Sequence, residues 1–269
     1  MKKRILFVLA LLLLLSGCAN TQQPQATTVA TEATVPQQPG TRLLQVTVTD
    51  NLTGQTVSSV AYTYDDAGRV AEENYENQYR VVYTYDDQGR LEKTERYVPL
   101  EDAPILTTLH EYSAKGLLII QQELDAQGTV RATTRYSYGA SGKLLKEKRE
   151  QEEGDRAQYY FYDAEGRCDH IDLYRGKAWI ATLQYYYDDQ GRISSTTRRS
   201  DDGILESCTE SHWDGLTETR YYYETGGETF YLTSTITYDV QGNILVQEDI
   251  GEGLHNITEY TYEPIEILK

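Results

Sequence analysis

The chain has 269 residues, with 42 acidic and 25 basic side chains and a net charge of −17. That balance repels nucleic acid and anionic lipid headgroups, so neither is expected to bind the folded body. The three cysteines, at positions 18, 168 and 208, match no zinc-site spacing.

The first element is an export signal over residues 1–17. Met1-Lys2-Lys3-Arg4 is basic, and Ile5 to Leu15 is unbroken apolar sequence. The run is too short for a membrane-spanning helix, which needs about 20 residues, and fits the apolar region of a signal peptide. Its removal takes away three cations and no anion, which moves the net charge from −17 to −20.

Leu15-Ser16-Gly17-Cys18 resembles the lipobox of bacterial lipoproteins. The resemblance implies cleavage before Cys18, a diacylglycerol on its thiol with palmitate-type acyl chains, and an extracytoplasmic protein held to a bacterial membrane. Each buried methylene contributes about 0.8 kcal/mol, so two chains hold stably where one is marginal.

With the lipidated cysteine, residues 18–40 read as a disordered tether. Thr, Gln, Pro and Ala dominate, and Glu32 is the one charge. Such a coil averages roughly 25 Å end to end and lifts the body off the membrane.

From residue 41 to 269 the chain repeats itself. Tyr62-Thr-Tyr-Asp-Asp-Ala-Gly-Arg-Val70, Tyr83-Thr-Tyr-Asp-Asp-Gln-Gly-Arg-Leu91 and Tyr185-Tyr-Tyr-Asp-Asp-Gln-Gly-Arg-Ile193 are the clearest copies. The central aromatics are Tyr64, Tyr85, Tyr112, Tyr138, Tyr162, Tyr187, Trp213, Tyr238 and Tyr262, spaced 21 to 27 residues apart. Tyr-x-Tyr places two rings on one face of a strand. Asp-x-x-Gly fits a type I turn closed by a left-handed glycine, giving a tight hairpin with a G1 bulge. A second turn signal falls between copies, so each period holds two strands. The expected fold is all-β: a long antiparallel meander of about 16–18 strands, coiled or spiral because an open twisted sheet rarely exceeds about ten strands. Arg69, Arg90, Arg167 and Arg192 are placed to stack on the tyrosine columns.

These motifs resemble the YD repeats of the RHS family: Tyr64-Asp65…Gly68-Arg69-Val70, Tyr85-Asp86…Gly89-Arg90-Leu91, Tyr162-Asp163…Gly166-Arg167 and Tyr187-Asp188…Gly191-Arg192-Ile193. The resemblance covers about residues 60–269. It implies a β-strand spiral and a cell-surface role in binding or encapsulation.

No catalytic set emerges. Four histidines, His110, His170, His212 and His255, show no metal-ligand spacing, and Asp169-His170 with Asp172 reads as strand surface. Gly139-Ala-Ser-Gly-Lys143 sits where other copies turn, so it is a turn and no phosphate loop. No cofactor or metal is expected. Aromatic clusters remain as ligand-binding candidates: Tyr185, Tyr186, Tyr187, Tyr221, Tyr222, Tyr223, Trp179 and Trp213. Such rings stack on sugars or grip a partner chain, although the repeat period favours packing of the sheet itself.

The expected function is a membrane-anchored, non-enzymatic binding module for an envelope or extracellular glycan or protein. Two alternatives stand beside it. One is a structural or assembly factor that pairs exposed sheet edges with another envelope protein. The other is a glycan-acting enzyme, for which the irregular Trp213 copy is the place to look. A Cys168–Cys208 disulfide is not expected, because the two lie at least two strands apart, roughly 10 Å.

Overall fold

The computed structural model describes residues 41–224 and 230–264. The export signal, Cys18, the tether and most of the turn at 224–228 lie outside the described residues. All described regular structure is strand. In chain order the strands are β1 (Thr41–Asp50), β2 (Gln55–Tyr64), β3 (Val70–Tyr75), β4 (Tyr79–Tyr85), β5 (Leu91–Tyr97) and β6 (Leu106–Tyr112). Then come β7 (Leu118–Asp125), β8 (Val130–Tyr138), β9 (Leu144–Gln151), β10 (Arg156–Tyr162), β11 (Cys168–Arg175) and β12 (Ala178–Tyr187). The last six are β13 (Ile193–Ser200), β14 (Leu205–Asp214), β15 (Thr217–Glu224), β16 (Leu232–Tyr238), β17 (Ile244–Gly251) and β18 (Leu254–Pro264).

Every strand pairs antiparallel with its neighbours in sequence, and β1 also pairs with β18. The coiling expected from the repeat therefore closes into an 18-stranded ring instead of running on as a spiral with two free edges. Closure has a specific cause. The last copy, Tyr260-Thr-Tyr-Glu263, has no return strand after it among the described residues. β1 takes that place: Leu43 pairs with Tyr262 beside a bulge, as Val70 pairs with Tyr64. One repeat is thus split between the two ends of the chain.

The turns form as their residues dictate. In the first copy Gly68 N–H donates to the Asp65 carbonyl at 2.9 Å, and Gly68 has a φ of +77°. The Asp65 carboxylate accepts from the N–H groups of Ala67 and Arg69 at 3.0 and 2.9 Å. The strand pairing shifts by one residue just before Tyr64, which is the expected bulge. All such turns lie at one end of the ring, where β1 begins; the other connections lie at the far end.

Strand register assigns the two faces. Tyr62 and Tyr64 share a face with Glu73 and Val70. Most buried residues lie on this face, among them Leu43, Val81, Tyr136, Ile171, Tyr185 and Ile236. Side chains converge on the concave side of a closed sheet, so the crowded tyrosine face is the inner one. The apolar core is thin; one cluster gathers Cys168, Ile171 and Tyr185 with Leu173, Leu183 and Ile193 around them. The outer face carries Glu72 on β3, Lys93 and Glu95 on β5, Lys148 and Glu150 on β9, and Arg199 on β13.

Candidate binding surface on the outer wall

The repeat motif itself is committed to structure. Within a copy, Arg69 Nε donates to Asp65 Oδ2 at 2.7 Å. The same guanidinium lies 4.3 Å from the centre of the Tyr85 ring in the next copy. Tyr85 in turn donates its hydroxyl to the carbonyl of Val70 at 2.8 Å. The expected stacking of Arg90, Arg167 and Arg192 follows the same rule, on Tyr112, Tyr187 and Trp213. Seven of the nine central aromatics make the hydroxyl-to-carbonyl bond: Tyr64, Tyr85, Tyr112, Tyr138, Tyr162, Tyr187 and Tyr262. Neighbouring hairpins splay at this end. The β3–β4 ladder begins only at Glu72, so the Val70 carbonyl lies beyond it, and the tyrosine hydroxyl replaces the missing backbone partner.

The inner face holds ion pairs that are likewise satisfied. Arg149 grips Glu123 through two bonds of 2.6 and 2.7 Å. Arg220 grips Glu218 through two of 2.8 Å, and Tyr238 donates to the same carboxylate at 3.0 Å. Glu218 faces Trp213 in the irregular copy and is held by these two neighbours. Asp169 Oδ2 lies 2.6 Å from His170 Nδ1, whereas Asp172 accepts from Thr182, so these three do not converge. Among the described residues, no group of three or more His, Cys, Asp or Glu is placed to hold a metal ion.

Strand alternation divides the aromatic candidates. Tyr185 and Tyr222 are buried on the inner face. Tyr187 lies under Arg167, with its hydroxyl on the Cys168 carbonyl. Trp213 lies 4.7 Å beneath Arg192 and stacks on Tyr238, and its indole N–H is buried without a partner. These four serve packing. Trp179 is partly exposed near the far end, its indole donating to the Ala181 carbonyl at 3.0 Å.

Tyr186, Tyr221 and Tyr223 remain on the outer wall. Register places Tyr186, Ser195, Glu210 and Tyr221 in one row across β12 to β15. The row beside it runs Gln184, Thr197, Cys208 and Tyr223. Tyr186 is 48% exposed, and three strand spacings, about 14 Å, separate it from Tyr221. The Tyr221 side is built up further. His212 meets Tyr221 edge-on at 5.4 Å, and Phe230 contacts Tyr221 at 5.2 Å and Tyr223 at 6.3 Å. The result is a shelf with aromatic walls and a floor of hydroxyls, an amide and one carboxylate. Sequence reasoning missed Glu210, His212 and Phe230. Counting outward positions along β14 would have found the first two, whereas Phe230 follows no repeat signal.

The RHS Repeat family matches residues 64–99. No curated protein matches. The chain is similar to a TcdB2-TccC3 crystal structure at 12% identity, covering 84% of this chain and 15% of that one, with a TM-score of 0.36. It is similar at 13% identity to the Photorhabdus luminescens Tc holotoxin pore, covering 78% and 14%, with a TM-score of 0.38. A porin-like protein from Bacteroides uniformis is 14% identical, with 85% of this chain and 98% of that one covered and a TM-score of 0.32. The chain spans about 15% of the length of the TcdB2-TccC3 chain. Tyr64 and Tyr85, the central aromatics of the first two motif copies, both fall within the matched segment, so residues 64–99 are similar to the RHS Repeat family.

Proposed function

We propose that this protein is an extracytoplasmic lipoprotein, anchored through Cys18, whose barrel is a non-enzymatic binding module with a glycan on its outer-wall shelf. The observation that carries the reading is the row Tyr186–Ser195–Glu210–Tyr221. Tyrosine rings present apolar faces to the C–H surfaces of sugars, and the polar floor supplies hydrogen bonds to hydroxyls. The net charge of −20 for the processed chain disfavours polyanionic polymers, so a neutral or cationic glycan suits the wall. Anchoring fits this arrangement: β1 starts at the motif-turn end, so a tether there leaves the wall and far end exposed. Edge pairing with another sheet is the weaker alternative, because a closed ring offers no free edge.

Two experiments test the reading. Cys18→Ala should abolish entry into the detergent phase, and a processed Cys18→Ala protein that still partitions there rejects the anchor. Tyr186→Ala with Tyr221→Ala should lower binding to immobilised envelope polysaccharide at least tenfold while the circular dichroism spectrum stays unchanged. Undiminished binding rejects the shelf. Hydrolysis of that polysaccharide, lost on changing one acidic residue, rejects the non-enzymatic reading.

A further inference from the structure

One connection departs from the repeat. Residues 98–105, between β5 and β6, form the longest connection between strands among the described residues. They stretch the spacing from Tyr85 to Tyr112 to 27, the largest in the series. The start of this loop lies beside the β3–β4 turn, and the two line a cleft of about 250 Å³ at the far end of the ring. Tyr75 and Tyr79 stack at 4.2 Å across the base of the turn. Arg80 lies 4.3 Å from the centre of the Tyr97 ring, and its Nη1 donates to Glu72 at 3.0 Å. Asn74, Asn77 and Gln78, all exposed, add three amides to the lining.

The backbone of the cleft is strained. Asn77, with a φ of +57°, and Leu100, with a φ of +70°, are the two non-glycine residues at positive φ among the described residues, and both line it. Asparagine tolerates that conformation, whereas leucine is an outlier there. The turn Val98-Pro99-Leu100-Glu101 is closed by Glu101 N–H on the Val98 carbonyl at 3.3 Å, and Leu100 stands where a type II turn calls for glycine. Leu100 is also fully exposed, so no packing among the described residues offsets its strain. Strain of this kind gathers at ligand clamps. The surrounding chemistry suits a neutral sugar. Amides offer a donor and an acceptor side by side, as neighbouring hydroxyls require, and Tyr97 and Leu100 add apolar surface for ring C–H groups. Glu72 already meets the charge of Arg80, and Glu76 and Glu101 stand nearby, which disfavours an anion. The space lies below the roughly 300 Å³ at which pockets begin to bury drug-sized ligands, so it suits one or two sugar rings.

We propose that the cleft between the β3–β4 turn and residues 98–101 binds the end of a neutral saccharide, with Asn74, Asn77 and Gln78 on its hydroxyls and Leu100 against a ring face. The site is separate from the outer-wall shelf and does not rest on it: β4 and β13 stand nine strands apart in an 18-stranded ring. The probes are cellobiose, maltose and N,N′-diacetylchitobiose, titrated into the full chain by calorimetry. At least one should bind, and Asn74→Ala with Gln78→Ala should weaken it at least tenfold. Leu100→Gly relieves the turn, so its thermal midpoint should equal or exceed that of the wild type while its affinity falls at least threefold. The shelf variant, Tyr186→Ala with Tyr221→Ala, should bind the disaccharide as wild type does. Failure of all three sugars to bind overturns the proposal, as does unchanged affinity in the amide variant. Loss of binding in the shelf variant assigns the sugar to the shelf and overturns the cleft. Tighter binding of glucuronic acid, or equal binding of triglycine, overturns the ligand class. A Leu100→Gly protein that binds equally well, or melts earlier than wild type, overturns the place given to Leu100.

Discussion

Arg42, at the start of the first strand, forms an ion pair with Glu263 near the end of the last. The pair reproduces Arg69 with Asp65 inside an intact repeat, and Arg42 lies 4.8 Å over Tyr64 as Arg69 lies over Tyr85. The ring is thus locked by the same circuit that joins its hairpins. Both side chains are about one-third exposed, so Glu263→Ala is expected to cost only about 0–1 kcal/mol. Hydrogen exchange should show β1 and β18 opening first in that variant, and the swap Arg42→Glu with Glu263→Arg should restore protection. Deleting residues 41–50 is a harsher test: it leaves two long sheet edges, and the product should associate on a sizing column. A monodisperse, fully protected deletion product would show that the ring does not need its seam.

The tyrosine ladder makes a graded prediction. Tyr85→Phe keeps the ring beneath Arg69 and removes the bond to the Val70 carbonyl. Leaving that carbonyl unpaired should cost about 1–2 kcal/mol in urea unfolding. Tyr186→Phe on the outer wall should change stability by less than about 0.5 kcal/mol. Equal effects at the two positions would mean that the hydroxyl bonds add nothing at the splayed ends.

Much of this was legible in the sequence, for a physical reason. A tight turn is a local event, so Asp65 and Gly68 announce it by themselves, and two-residue alternation along Tyr62–Tyr64 announces a strand. The strand count and the arginine stacking followed from those local rules. Closure did not, because it depends on Arg42 meeting Glu263, 221 residues away, and neither half of that split hairpin carries the full motif. The binding candidates were only half legible for a related reason. Tyr185-Tyr186-Tyr187 is one cluster in sequence but belongs to two faces in the sheet, and only register shows that Tyr186 shares a row with Tyr221.

Cys168 and Cys208 should remain separate thiols. Cys168 is buried on the inner face of β11, packed with Ile171 and Tyr185, whereas Cys208 faces outward on β14 beside Ser195. They lie three strands apart, one more than the sequence count of two, and on opposite faces. A disulfide requires α-carbons within about 7 Å, which this arrangement does not allow. A non-reduced peptide map of the oxidised protein should therefore show no 168–208 linkage, and finding one would demand a different strand register between β11 and β14.

Two carboxylates should respond to pH in opposite senses. The Arg90 side chain and the N–H groups of Arg90 and Gln88 hold Asp86 below its ordinary value of 3.8. A depressed carboxylate stabilises the fold above its unfolded pKa, and that contribution disappears as pH falls through the lower folded value. Asp50, Asp125 and Asp202 are depressed through comparable turn bonds, so acid should unfold the barrel steeply below about pH 4. Glu147 is the reverse case. Burial on the inner face raises it above its ordinary 4.5, although Tyr160 and Arg149 act against the shift. Its contribution is full below the unfolded pKa and is lost as pH rises through the raised folded value. Asp86→Asn keeps a capping oxygen and removes the charge, so it should destabilise at about pH 7 and matter less at about pH 3. Glu147→Gln should stabilise at about pH 7 and be nearly neutral at about pH 4. Urea midpoints for both variants across this range are the measurement. Loss of stability in Glu147→Gln at neutral pH would mean that its carboxylate supports the inner wall in the charged form.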